Sequence, residues 1–175
     1  MIPKLEKKFT VLSGKLTDIL AYMDELPDEK RHQKPEGSWS AVQILRHLQL
    51  AENGTVTYLR KKVQAPPESV SSAGFAGKVR SFLLSRALRN YRTKFKAPSV
   101  IGEVETSPDY IEVKKAYLKA REELKEILDR FDPQMAGKAY FKHPVAGKIN
   151  IYQTLVFLED HLERHIEQIK ERSKG

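Results

Sequence analysis

His161 and His165 stand four residues apart in the segment Leu155-Val-Phe-Leu-Glu-Asp-His-Leu-Glu-Arg-His-Ile-Glu-Gln-Ile. On a helix that spacing puts both imidazoles on one side, which is how a single helix begins a metal site. A third imidazole, His47, lies far upstream in Trp39-Ser-Ala-Val-Gln-Ile-Leu-Arg-His-Leu. Packing of the two helices would give a three-histidine site for one divalent ion, with a coordination position left open. Such a site lowers the pKa of a bound water or thiol, whereas a structural zinc normally has four protein ligands.

Other meanings of the spacing fit less well. Zinc peptidases use His-Glu-x-x-His, but Leu162 follows His161 here, and Glu163 lies about 200° around the helix. Di-iron bundles use paired Glu-x-x-His motifs, and no inward pair of that kind is present. The chain has no cysteine, which leaves histidine and carboxylate as metal ligands and removes the thiol nucleophile. Imidazole donors suit zinc, nickel, copper and iron alike.

Around these histidines the neighbouring side chains offer further candidates. Glu52 sits at the margin of an otherwise apolar stripe, where a carboxylate would act in catalysis, hydrogen-bond a ligating imidazole or reach solvent. Gln43, one turn before His47, is a candidate substrate contact. Ala51 and Gly54 follow His47 on the same side, and a helical glycine costs about 1 kcal/mol; space for substrate and close approach of another helix are equal explanations. Asp160 is expected to be solvated. The remaining histidines, His32 and His143, are not expected to bind metal.

Four amphipathic segments must position these groups. Leu5, Phe9, Leu12, Leu16, Ile19 and Met23 form the first stripe, closed by Pro27. The second helix is expected from a Ser38 cap to a point before Pro66-Pro67. The third opens at Ser107-Pro108-Asp109 and carries Tyr110, Val113, Tyr117, Ala120, Leu124, Ile127 and Phe131. The fourth runs from Asn150, with Gln153 in capping-box position, to about Arg172. Helices two and three are joined by a long crossover, Val63 to Thr106, whose Phe75–Phe95 stretch is helical in pattern through Val79, Phe82, Leu83, Leu88, Tyr91 and Phe95. A small hairpin is expected around Gly147. The fold class is therefore all-α: one domain over residues 1–175, a four-helix bundle with a long, partly helical crossover between helices two and three.

Lys and Arg total 31 against 23 acidic residues, a formal charge of +8. The excess concentrates at Lys78, Arg80, Arg86, Arg89, Arg92, Lys94 and Lys96, with no acid between Gly77 and Pro98. Such a run is a solvated face, or it attracts nucleic acid, anionic lipid or an acidic small molecule. No helix-turn-helix pattern accompanies it, so nucleic acid is not the expected partner. No run of about 18 apolar residues exists and no signal peptide is evident; the expectation is a cytoplasmic protein without a membrane partner. An apolar helix face would make a homodimer.

The segments Trp39-Ser-x-x-Gln-Ile-Leu-x-His-Leu and His143-Pro-x-x-Gly-Lys-Ile-Asn-Ile-Tyr-Gln-Thr-Leu-x-Phe-Leu-x-Asp-His-x-x-x-His resemble the DinB/YfiT-like superfamily of metal-binding four-helix bundles. The resemblance implies a divalent ion, commonly nickel or zinc, with iron or manganese as alternatives, held by the positions of His47, His161 and His165. It also implies metal-dependent hydrolysis, or transfer and isomerisation using low-molecular-weight thiols such as bacillithiol or mycothiol. On this reading Arg86 and Arg89 would pair with the carboxylates of such a thiol. The leading expectation is an S-transferase or hydrolase acting on a small electrophile. The alternative is a non-catalytic metal-binding stress-response module that engages nucleic acid or a partner through residues 78–96.

Overall fold

The computed structural model describes residues 1–90 and 104–174. Each long helix forms where an apolar stripe of period near 3.6 coincides with a start and a stop signal. Helix α1 (Pro3–Glu25) has proline in its first turn and buries Leu5, Leu12, Leu16, Ile19, Leu20 and Met23. It ends where Leu26 turns extended before Pro27. A single extra turn, α2 (Asp28–His32), follows.

Helix α3 (Ala41–Lys62) starts at Ser40 rather than at Ser38. Ser40 Oγ accepts from Gln43 N–H at 3.3 Å, and Gln43 Oε1 accepts from Ser40 N–H at 3.1 Å. This reciprocal pair satisfies two donors at the helix start, which Ser38 has no partner to do. After a 3₁₀ turn (Pro67–Ser69) comes α4 (Gly74–Arg89). The helical reading of the crossover is right to Arg89, and its Tyr91–Phe95 portion lies outside the described residues.

The packed face of α4 differs from the expected one. Gly77, Ser81, Leu84 and Leu88 point inward, while Val79, Phe82 and Leu83 are exposed. The reason is contact distance. A Cβ on Gly77 would stand 2.7 Å from the Lys148 carbonyl oxygen, so only a face of small residues can lie against that strand. Arg80 adds an anchor, its Nε–H donating to the Ala146 carbonyl at 2.9 Å.

Helix α5 (Tyr110–Asp129) is capped by Asp109, whose carboxylate accepts from Glu112 N–H, so Asp109 and not Ser107 is the cap. The expected hairpin is present: β1 (Phe141–His143) pairs antiparallel with β2 (Gly147–Ile149). Gly147 has φ +68°, a value that L side chains rarely adopt. It feeds α6 (Ile151–Lys174), where Asn150 and Gln153 exchange backbone-to-side-chain hydrogen bonds at 2.9 Å. The long helices α1, α3, α5 and α6 form an all-α bundle, and α4 packs outside it on α6 and β2. Their buried side chains, with Phe141 and Ile149 of the hairpin, join in one hydrophobic cluster. Among the described residues no helix is long and apolar enough to cross a membrane.

Candidate metal centre

His47 comes from the second turn of α3, and His161 and His165 from the middle of α6, which packs against it. One ring nitrogen from each lies within 4.8 Å of those of the other two. His47 Nε2 is 3.2 Å from His161 Nε2, and His165 Nε2 is 3.1 Å from His161 Nε2. Two donors each about 2.1 Å from one ion are about 3.0–3.4 Å apart for coordination angles between octahedral and tetrahedral. The spacing of the nitrogens therefore fits a shared divalent cation.

Protonation favours the same arrangement. His165 Nδ1 is 2.6 Å from Gln168 Oε1. The amide oxygen can only accept, so the proton sits on Nδ1 and leaves Nε2 as a lone pair. His161 Nε2 then faces two neighbours with at most one proton to offer. His47 is 4% exposed and its Nδ1 has no hydrogen-bond partner. A cation on the Nε2 side satisfies three nitrogens that cannot satisfy one another.

All three rings are held neutral. Burial pulls His47 down to about 4. His165 falls to about 3 through burial and the nearby His47. His161 lies well below the ordinary imidazole value, through burial first and then its two partners. Neutral imidazole is the ligating form.

Aromatic rings bound the triad. Trp39, the chain's sole tryptophan, has its ring 5.3 Å from that of His47. Phe157 stacks on His161 with centroids 5.6 Å apart and planes 14° from parallel. Behind Phe157 lies His143, edge-on at 4.3 Å. His143 Nδ1 accepts from the backbone N–H groups of Val145 and Ala146 at 3.1 and 3.0 Å. It stands outside the converging group and fixes the hairpin turn.

The remaining candidates are not gathered at the histidines. Glu52 is buried, and both its oxygens accept from Arg121 of α5, Nε–H at 2.6 Å and Nη2–H at 2.7 Å. Both oxygens are paired with the guanidinium and neither is hydrogen-bonded to an imidazole, so Glu52 stands in an ion pair with Arg121 rather than among the histidines. Gln43 is spent on the capping box and on donating to the Glu105 carbonyl at 3.0 Å. Ala51 is half-buried. Gly54 is exposed with nothing within 4 Å of a Cβ, so close approach of another helix is not what places a glycine there. Arg86 projects from the outer side of α4, away from the packed Leu84 and Leu88.

Asp160 corrects another expectation. It is 1% exposed, accepts from Arg89 Nε–H at 2.8 Å and from Ser85 Oγ–H at 2.5 Å, and so ties α6 to α4. Arg164, four residues on, donates to the Leu88 and Asn90 carbonyls at 3.0 Å. Arg89 is thus an anchor of the crossover helix. The identical spacing of Asp160/Arg164 and His161/His165 was the available signal for this clamp, and it was overlooked.

A helical bundle with three inward imidazoles converging from two helices defines a class of metal-binding proteins. The sequence profile of the DinB superfamily matches residues 12–169, and the chain belongs to that superfamily, whose members are often metal-dependent. It is also similar to the uncharacterized protein YuaE of Bacillus subtilis (strain 168), 26% identical over 151 residues, 83% of this chain and 85% of that one. No solved structure matches the chain.

Proposed function

We propose that this protein is a metal-dependent enzyme that activates a low-molecular-weight thiol or water for attack on a small electrophile, as an S-transferase or hydrolase. The observation that carries the reading is the convergence of three neutral Nε2 atoms at 3.1 and 3.2 Å. The ligands would be His47, His161 and His165; imidazole donors suit several divalent ions, and the family resemblance favours nickel or zinc among them. A divalent ion bound there supplies a Lewis acid that lowers the pKa of a thiol or water in its open position.

The chain's own residues do the rest. Gln168 holds His165 in the tautomer that presents Nε2. Phe157 fixes the plane of His161, and the ring of Trp39 leans on His47. No carboxylate joins the group among the described residues, so the ligand shell is neutral and leaves the ion's charge to act on the nucleophile. With no cysteine in the chain, an attacking thiol would come from a small molecule.

Metal analysis of tag-free protein purified without added metal tests the reading. About one divalent ion per chain is expected in the wild type and none in His47→Ala or His161→Ala. The loaded protein is then assayed against a panel of thiols and electrophiles. A metal-free wild type, or turnover unchanged in His161→Ala, ends the proposal.

A further inference from the structure

Helix α4 carries large apolar side chains on the side that faces away from the protein. Phe75 is 79% exposed, Phe82 66%, Leu83 56% and Val79 41%. At about 100° per residue, Phe75, Val79, Phe82 and Arg86 fall within about 60° of one another, with Leu83 beside them. Lys78 borders the stripe on one flank. The opposite side of the helix is fully used, by Leu84, Leu88, Ser81 and Gly77 against α6 and β2. Among the described residues, this second apolar face is left uncovered. Contiguous exposed apolar surface of this kind marks an interaction site.

Charge identifies the occupant. No acidic residue occurs anywhere in α4. A symmetric contact with a second copy would set this face against itself, burying Arg86 and Lys78 among like charges with no carboxylate on either helix to answer them. An anionic surface answers them directly. Apolar residues ringed by Lys and Arg on a helix lying along a surface are the signature of interfacial binding.

We propose that the outer face of α4 docks the protein on an anionic lipid bilayer, with Phe75, Val79, Phe82 and Leu83 entering the interface and Lys78 and Arg86 meeting the headgroups. The absence of a spanning segment has no bearing on attachment of this kind. Attachment is peripheral, salt-sensitive and independent of the histidine centre.

Vesicle co-sedimentation of the full chain decides the matter. Phosphatidylcholine vesicles containing phosphatidylglycerol should bind it at low salt and release it at high salt, and pure phosphatidylcholine should not bind it. The double variant Lys78→Gln/Arg86→Gln should lower partitioning by about 25-fold, since each cation near the surface contributes about fivefold. Phe82→Ser/Leu83→Ser should lower it by about tenfold or more. These side chains are exposed, and circular dichroism with thermal melting confirms that each variant is folded; Phe75→Ser, at the helix start, replaces any variant that is not. Absence of binding at low salt, equal binding to neutral vesicles, or full binding by folded variants overturns the proposal. So does a dimer in light scattering that Phe82→Ser/Leu83→Ser dissociates, or binding of polyglutamate as strong as that of vesicles and unaffected by the serine substitutions.

Discussion

Glu52 with Arg121, and His47 with His161 and His165, are two polar clusters sunk into the same helical interior, and only the first answers its own charges. The carboxylate and guanidinium meet through two hydrogen bonds of 2.6 and 2.7 Å, both residues at most 5% exposed. The imidazoles meet nitrogen to nitrogen and cannot share their protons evenly. A buried pair that closes on itself is a piece of structure. Imidazoles aimed at one point and held neutral need something between them, because an unsatisfied buried polar group costs free energy. The contrast separates, within one core, a polar pair that closes on itself from a polar group that could hold a metal.

The contrast is open to breakage at several points. The largest effect is expected from His161→Ala, which removes the nitrogen common to both short contacts. Metal affinity by competition with a chromophoric chelator should fall at least about 10³-fold, a loss of the order expected for a coordinating ligand rather than a supporting one, whose loss costs about 10–100-fold. Global stability should change far less.

Arg121→Ala should invert that pattern. It strands Glu52 in the interior, and chemical denaturation should register a loss of about 3–5 kcal/mol, while metal affinity of the folded fraction stays within about threefold, a margin near 0.6 kcal/mol. If removal of Arg121 abolishes metal binding in a folded protein, the two clusters are not independent.

Acidity probes the imidazoles alone. His47 is pulled down to about 4 and His165 to about 3, so the unfolded chain takes up protons below pH about 6.5 that the folded rings refuse. In the metal-free protein their contribution to stability is complete above pH about 6.5. It falls as the pH drops toward 4, by on the order of 3 kcal/mol for His47 alone. Denaturation midpoints across that window, for wild type against His47→Gln, should show the slope only in the wild type. Metal affinity should stay nearly flat from pH 7 to 5, where an exposed imidazole would already be protonated.

The smallest effect is expected at Gln168. Its oxygen fixes the His165 tautomer, and Gln168→Leu should weaken metal binding by about 10–100-fold, read by quenching of Trp39 with nickel.

The histidines were legible because their chemistry is rare and their spacing leaves one geometry. The bundle was legible because α1, α5 and α6 each carry one apolar stripe and a clear start. Helix α4 was not. Phe75, Val79, Phe82, Leu83, Leu84 and Leu88 spread apolar character around its axis, so periodicity permits two faces, and the choice is made by the Lys148 carbonyl lying where only Gly77 fits. The pairing of Glu52 was not legible because its partner Arg121 is 69 residues away on another helix. The start of α3 was set by the Gln43 side chain, which can reach Ser40 but not Ser38.

Asp160 and Arg164 hold α4 from the same two turns of α6 that present His161 and His165. Each pair repeats every four residues, and the two are offset by one position, or about 100° of rotation. Inserting or deleting a single residue in α6 ahead of Asp160 would swing both pairs together, detaching the crossover and scattering the imidazoles in one step. An insertion on the hairpin side of Asn150 would leave both pairs in register, whereas a change of count within this stretch of helix would not.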